Sequence, residues 1–134
     1  MAAIQHLDVR TTRREEMIDI TSLVRGAVKK SGIQSGVAWI FVPHTTAGVT
    51  IQENADPTVK SDLLHHFARL IPQDGEFQHA ERNSDAHIKS SVVGASQAVF
   101  VESGKLLLGH WQAIWFCEFD GPRSREVHVK VIEG

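Results

Sequence analysis

Three short stretches of the chain hold residue types that folding a core does not require. The first is Pro43-His44-Thr45-Thr46-Ala47-Gly48-Val49-Thr50-Ile51-Gln52-Glu53-Asn54-Ala55-Asp56-Pro57, fifteen residues with a histidine, three threonines and a Gln-Glu-Asn run. His44 follows the proline that ends an apolar run, which places it at a strand edge. There an imidazole can ligate a metal, contact phosphate or transfer a proton; the plainer alternative is a turn hydrogen bond to Thr45 or Thr46. Glu53 closes a strand face otherwise formed by Val49 and Ile51. A carboxylate is costly there unless it meets a cation, a metal or hydrogen-bond donors, and a salt bridge to an arginine would serve equally.

The second stretch is Asp85-Ala86-His87-Ile88-Lys89-Ser90-Ser91. Asp85 reads as the cap of a short helix whose free N–H groups offer an anion seat, with Lys89 adding charge. Helical spacing sets His87 beside Ser90 and Ser91 on a polar stripe, with Ile88 and Val92 inward. The third runs from Gly109-His110-Trp111-Gln112 to Phe119-Asp120-Gly121-Pro122-Arg123. Trp111 is either core or a stacking surface for a heterocycle whose edge Gln112 reads. The turn after Asp120 carries Arg123 and Arg125 toward a phosphate, or leaves them as ordinary surface arginines. The expectation is that the three stretches meet in one pocket. His44, His79 and His87, with Glu53 nearby, form a candidate His/carboxylate set for a divalent metal, though their spacing matches no local motif such as HExxH.

The elements that must position these residues follow from periodicity. Residues 5–12 alternate as an edge-like strand, and 13–16 form a charged bend. Asp19 caps a helix over 20–31 with Ile20, Leu23, Val24, Ala27 and Val28 on one face. Residues 37–42 and 45–53 are strands, and Asp56-Pro57 starts a helix that buries Val59, Leu63, Phe67 and Leu70 before Pro72. Residues 72–84 are a loop. A short helix from Asp85 to near Gly94 follows, then a hairpin of 97–102 and 105–108 across Ser103-Gly104. Residues 112–119 make a strand apolar enough for burial on both faces. In 126–132, Val127, Val129 and Val131 oppose Glu126, His128 and Lys130. The class is α+β: mixed or antiparallel sheets with two main helices and one short one, in a single domain over 1–134.

Bulk properties exclude several functions. The 134 residues carry a formal net charge of −2, which gives no electrostatic footprint for nucleic acid. No apolar run reaches membrane-spanning length, and the N-terminus lacks the build of a signal peptide. The single cysteine, Cys117, forbids an intrachain disulfide and fits a reducing cytoplasm. Lying among Trp115, Phe116 and Phe119, it reads as a buried inert thiol. Of the eight histidines, His6, His65 and His128 sit in amphipathic contexts where an exposed or half-exposed side chain is expected. P-loop, GxGxxG, GxSxG and kinase signatures are absent.

Together the motifs resemble those of the YjbQ family. His44-Thr45-Thr46-Ala47-Gly48 with Gln52 to Pro57 resembles its first signature, and Asp85 to Ser91 its second. Gly104 to Gln112 with Phe116 to Arg123 resembles its third, and His110 stands where the family varies. The resemblance implies a small α+β protein that assembles as a homotrimer with pockets near subunit boundaries. It also implies a secondary thiamine-phosphate synthase, which joins a hydroxymethylpyrimidine diphosphate to a thiazole phosphate with loss of pyrophosphate. On this reading His44, His87 and Glu53 are catalytic, and Thr45, Asn54, Lys89, Ser90, Trp111, Gln112 and Arg123 bind substrate. His44, His79 and His87 hold a divalent metal, Mg²⁺ or Zn²⁺. The rival expectations are a non-enzymatic trimeric module that binds a metal or a phosphometabolite, and a metal-dependent hydrolase.

Overall fold

A computed structural model describes residues 3–134. The strands are β1 (Gln5–Arg10), β2 (Glu16–Asp19), β3 (Ser35–Phe41), β4 (Ala47–Glu53), β5 (Ser96–Glu102), β6 (Lys105–Leu106), β7 (Gln112–Glu118) and β8 (Ser124–Glu133). The helices are α1 (Thr21–Ser31), α2 (Pro57–Leu70) and α3 (Ser84–Val93). Every strand pair is antiparallel, in a five-stranded sheet ordered β1-β8-β3-β5-β6 and a three-stranded sheet ordered β2-β7-β4. This is the expected α+β class.

The main core lies between the inner face of the large sheet, the inner face of the small one and α1. It is built from Ala38, Ile40, Val99, Val127, Val129 and Val131 against Val49, Ile114 and Phe116, with Val24 and Val28 of α1. A second cluster forms on the other face of the small sheet. There Met17, Trp115, Cys117 and Phe119 meet Leu63, Leu64 and Phe67 of α2. β7 is therefore covered on both sides, which is why its sequence lacks alternation. β8 alternates because only its Val127-Val129-Val131 face reaches the core.

Local chemistry sets the junctions. The Asp56 carboxylate accepts from the Thr58 N–H at 2.9 Å and caps α2, with Pro57 as its first residue. At the β5–β6 hairpin Ser103 and Gly104 both have positive φ, 52° and 73°, the pair of left-handed residues that a tight two-residue loop uses.

Several expectations need correction. Residues 16–19 are a strand, β2, and only four residues long, too short for alternation to reveal. Ile20 is the N-cap of α1. Asp19 still serves that helix from one position earlier, accepting from the Thr21 N–H at 2.9 Å. Leu23 and Leu70 are exposed, because α1 and α2 each lie against one sheet face with these residues on the flank. The largest correction concerns α3. Its buried residues are Asp85, Ala86, Lys89 and Ser90, while Ile88 and Val92 are 40% and 63% exposed. The helix turns its polar side inward.

Candidate functional site

The inverted face of α3 meets charges supplied by distant parts of the chain. Asp85 is fully buried and accepts a two-pronged bond from Arg14, 3.1 and 2.9 Å. It also receives Lys89 Nζ at 2.9 Å, and Lys89 further contacts Glu15. Asp85 is thus not the helix cap; Asn83 takes that position, without a side-chain cap bond. Burial alone would push the Asp85 carboxyl up, but hydrogen bonds and charge from Arg14 and Lys89 outweigh it and hold the group below its ordinary range.

A second ion pair lies beside the first. Glu118, fully buried at the end of β7, is gripped by Arg125, whose Nε donates to Oε1 at 2.9 Å and whose other nitrogen reaches Oε2. Thr11 Oγ1 donates to the same carboxylate at 2.7 Å and the Asp120 N–H at 3.1 Å. These bonds and the Arg125 charge overcome burial and keep Glu118 below its ordinary range. Arg125 also donates to Thr46 Oγ1 at 2.9 Å, which ties the His44 loop to the pair.

Cross-links join these groups into one patch. Asn83 Nδ2 donates to Asp120 Oδ2 at 2.8 Å, Arg123 binds the same carboxylate at 2.9 Å, and the Gly121 N–H donates to Arg14 O at 2.9 Å. Ser90 Oγ donates to Thr45 O at 2.9 Å. Asn83 Oδ1 is the buried side-chain polar atom that lacks a hydrogen-bond partner among the described residues, and it sits inside this network.

His44 sits at the rim. The Glu126 N–H donates to its Nε2 at 2.9 Å. Burial, reinforced by the Arg125 charge, lowers its pKa from the ordinary 6.5. An acceptor nitrogen must carry a lone pair, so the ring is neutral with its proton on Nδ1, and Nδ1–H is the group free to donate. His87 is half-buried, with the His79 ring edge-on at 5.4 Å.

The structure divides the expected site in two. His44, Thr45, His79, His87, Lys89, Ser90 and Arg123 belong to the patch just described. Glu53, Asn54, Trp111 and Gln112 lie at the other end of β4 and β7, since Ala47 pairs with Glu118 while Glu53 pairs with Gln112. Six strand steps separate those pairs, roughly 20 Å. At that far end the Asn54 N–H donates to Trp111 O at 2.9 Å, Asn54 Nδ2 donates to Asp19 at 2.6 Å, and Trp111 is 62% exposed. Within one chain the three stretches do not share a pocket. Nor, among the described residues, does Glu53 form the arginine salt bridge considered for it; it is half-buried at the strand end.

Individual roles change as well. Lys89, 1% exposed and held by two carboxylates, has no free ammonium for phosphate and instead fixes α3. Ser90 spends its proton on Thr45 O and is a tie rather than a free ligand contact. Arg123, half exposed, keeps donors beyond those on Asp120. His44, His79 and His87 do not come together as a metal set. His44 Nε2 is committed to a backbone N–H, and the one group of three ligand atoms within 4.8 Å of each other among the described residues lies elsewhere. Cys117 is buried, and its thiol is pushed up to about 12 by desolvation, as an inert core thiol should be.

Arg14, Glu15, Thr11 and Glu118 are the residues that sequence reasoning passed over. A signal existed for Glu118, which stands in an apolar strand, and for its pairing with Arg125, a candidate phosphate contact that shares its face of β8 with Val127, Val129 and Val131. Each needs an opposite charge to be tolerated there.

Residues 5–134 match the profile of the family described as UPF0047 protein YjbQ-like. UPF0047 protein MJ1081 of Methanocaldococcus jannaschii is 55% identical over 92% of this chain and 90% of its own. UPF0047 protein YugU of Bacillus subtilis is 54% identical over 96% and 98%. A crystal structure of a YjbQ/UPF0047 protein from Clostridium acetobutylicum superposes with a TM-score of 0.94 at 51% identity, covering 96% of this chain and 99% of that one. A YbjQ-like protein of unknown function from Sulfolobus solfataricus gives 0.95 at 31% identity, covering 100% and 99%. Among the described residues no helix is long and apolar enough to cross a membrane. The motifs, the fold and the relatives agree: the chain belongs to the YjbQ/UPF0047 family.

Proposed function

We propose that the chain is a cytoplasmic enzyme acting on a phosphorylated small molecule, by transfer of the thiamine-phosphate-synthase type. The observation that carries this reading is the inverted helix α3, which buries Asp85, Lys89 and Ser90 and exposes Ile88 and Val92. Burying two ion pairs where apolar side chains would fold at least as well is weak support for stability. It does fix the position of His87, His44 and Arg123, which is what a preorganised site needs.

In the proposed reaction the bond from the pyrimidine methylene carbon to the diphosphate oxygen breaks, and its electron pair leaves with pyrophosphate. The thiazole nitrogen forms the new bond to that carbon. Nδ1–H of His44 donates to the departing oxygen, and the free donors of Arg123 meet phosphate. No step is routed through a metal, since the three histidines first considered for one do not converge.

Assembly is part of the reading. Trp39, Phe41, Phe100 and Ile132 are exposed on the outer face of the large sheet, which suits self-association, and the family resemblance implies a trimer. In this reading the pocket is complete where the Trp111-Gln112 end of one copy meets the His44 end of another. Light scattering should give the mass of three chains. His44→Ala and Trp111→Ala chains, each inactive alone, should regain activity when assembled together; no recovery would remove the shared intersubunit pocket.

Turnover of the two thiamine precursors tests the activity. His44→Ala should lose about 10²–10⁴-fold, the usual worth of a positioned proton donor, with His87→Ala also reduced. Undiminished turnover in both variants would remove these residues from the mechanism. Retention of a phosphorylated ligand without turnover would favour the binding module, and phosphate release without the second substrate would favour a hydrolase.

A further inference from the structure

The outer face of the large sheet carries a second cluster, remote in role from the ion pairs. His6 of β1 and His128 of β8 are direct cross-strand partners, with their rings edge to face at 4.5 Å. Glu126, two residues before His128 and therefore on the same face, reaches both. Its Oε1 lies 3.5 Å from His6 Nδ1 and 3.8 Å from His128 Nε2. The ligand atoms of the three residues all fall within 4.8 Å of one another.

We propose that His6, Glu126 and His128 form a binding site for a divalent transition metal ion of the zinc, nickel and copper class. Zinc holds imidazole nitrogen at about 2.0–2.1 Å and carboxylate oxygen at about 2.0–2.2 Å. A tetrahedral arrangement then sets its ligand atoms about 3.3 Å apart. The carboxylate is already near that spacing from both imidazoles, so small side-chain rotations complete three ligands. Water takes the remaining position on the exposed side. Two imidazoles with a single carboxylate select a borderline transition metal over Mg²⁺, which prefers an all-oxygen shell.

The backbone does the positioning. Cross-strand register fixes His6 against His128, and the pleat puts Glu126 beside them, so no buried shell is required. Phe41, the β3 partner of His128 with its ring 6.4 Å away, walls one side. Among the described residues β1 is an edge strand paired with β8 alone, so the ion would clamp the first strand to the last one.

The site shares its sheet face with the surface proposed for self-association and touches His44 through the Glu126 N–H, so its test uses metal binding and no enzyme activity. Metal-free full-length protein is titrated with Zn²⁺ by calorimetry and with Co²⁺ by visible absorption. The expected result is one equivalent per chain, a rise in Tm with added Zn²⁺, and a Co²⁺ spectrum of low coordination number. His6→Ala, His128→Ala and Glu126→Gln should each weaken binding more than about tenfold, since loss of a ligand exceeds the loss of an outer-shell partner. A His79→Ala/His87→Ala protein should bind as the parent does. Unchanged affinity in the His6→Ala/His128→Ala double variant, loss in the His79→Ala/His87→Ala protein, or no saturable binding in the parent would each overturn the proposal.

Discussion

Replacing Arg125 with methionine should lower stability by about 3–5 kcal/mol, the usual cost of stranding one member of a buried ion pair. Glu118 is fully buried and its four hydrogen bonds come from Arg125 (two), Thr11 and the Asp120 N–H. Without the guanidinium the carboxylate cannot stay ionised, so it takes up a proton and loses acceptor capacity toward Thr11 and Asp120. Thr46 loses its tie to β8 at the same time, which frees the His44 loop. For a domain whose total stability is about 5–15 kcal/mol, this approaches unfolding. Urea denaturation should show a lower midpoint at unchanged slope. Adding Glu118→Gln to the variant should restore much of the loss, because a neutral amide needs no proton uptake to be buried there. A change under about 1 kcal/mol would mean that Glu118 reaches water, contrary to its burial.

The second large effect is expected at Asp85. Asp85→Ala removes the acceptor shared by Arg14 and Lys89, leaving the Lys89 ammonium, almost wholly buried, against Glu15 alone. The expected loss is again about 3–5 kcal/mol, and with it the docking of α3 and the position of His87. Acid should reproduce part of this in the parent protein. Asp85 and Glu118 both have folded pKa values below the ordinary 3.8 and 4.5. A depressed carboxylate contributes stability that is complete above its unfolded value and is lost as pH falls through the folded one. Stability should therefore hold flat above about pH 4.5 as far as these groups are concerned, and fall steeply below it. Asp85→Asn, measured by the same denaturation, should start lower and show a shallower acid limb. An acid limb as steep as the parent's would assign the acid sensitivity to other carboxylates.

Much of the fold could be read locally. Alternation along 127–131 reports a strand with one face in the core, and the unbroken apolar run of 113–117 reports one covered on both. Asp56-Pro57 marks the start of α2 because its cap bond is made two residues away. These features depend on neighbours within one turn or one pleat, so the chain's order is enough to reveal them. The family motifs belong to the same category.

The inward face of α3 was not legible in that way. Hydrophobic patterning assumes that apolar residues point in, which puts Ile88 and Val92 inward and leaves Lys89 to add charge at an anion seat. The assumption fails when a buried charge is satisfied by groups far along the chain: Arg14 lies 71 residues from Asp85, and Thr11 lies 107 from Glu118. Nothing within reach of a helical turn announces those partners. The same limit hid the two ends of the expected pocket, since the length of β4 separates motifs that look adjacent in sequence.

The sequence by itself determined most of the elements, the cap of α2, the two-sided burial of β7 and the family. Periodicity and turn chemistry are short-range and leave a direct trace in residue order. Tertiary structure alone decided which charges are buried and paired, that His44 offers Nδ1–H because a β8 N–H occupies its other nitrogen, and that His6 stands against His128. Each of those facts is a contact between residues brought together by strand pairing across most of the chain, and its energy depends on a partner that no local window contains.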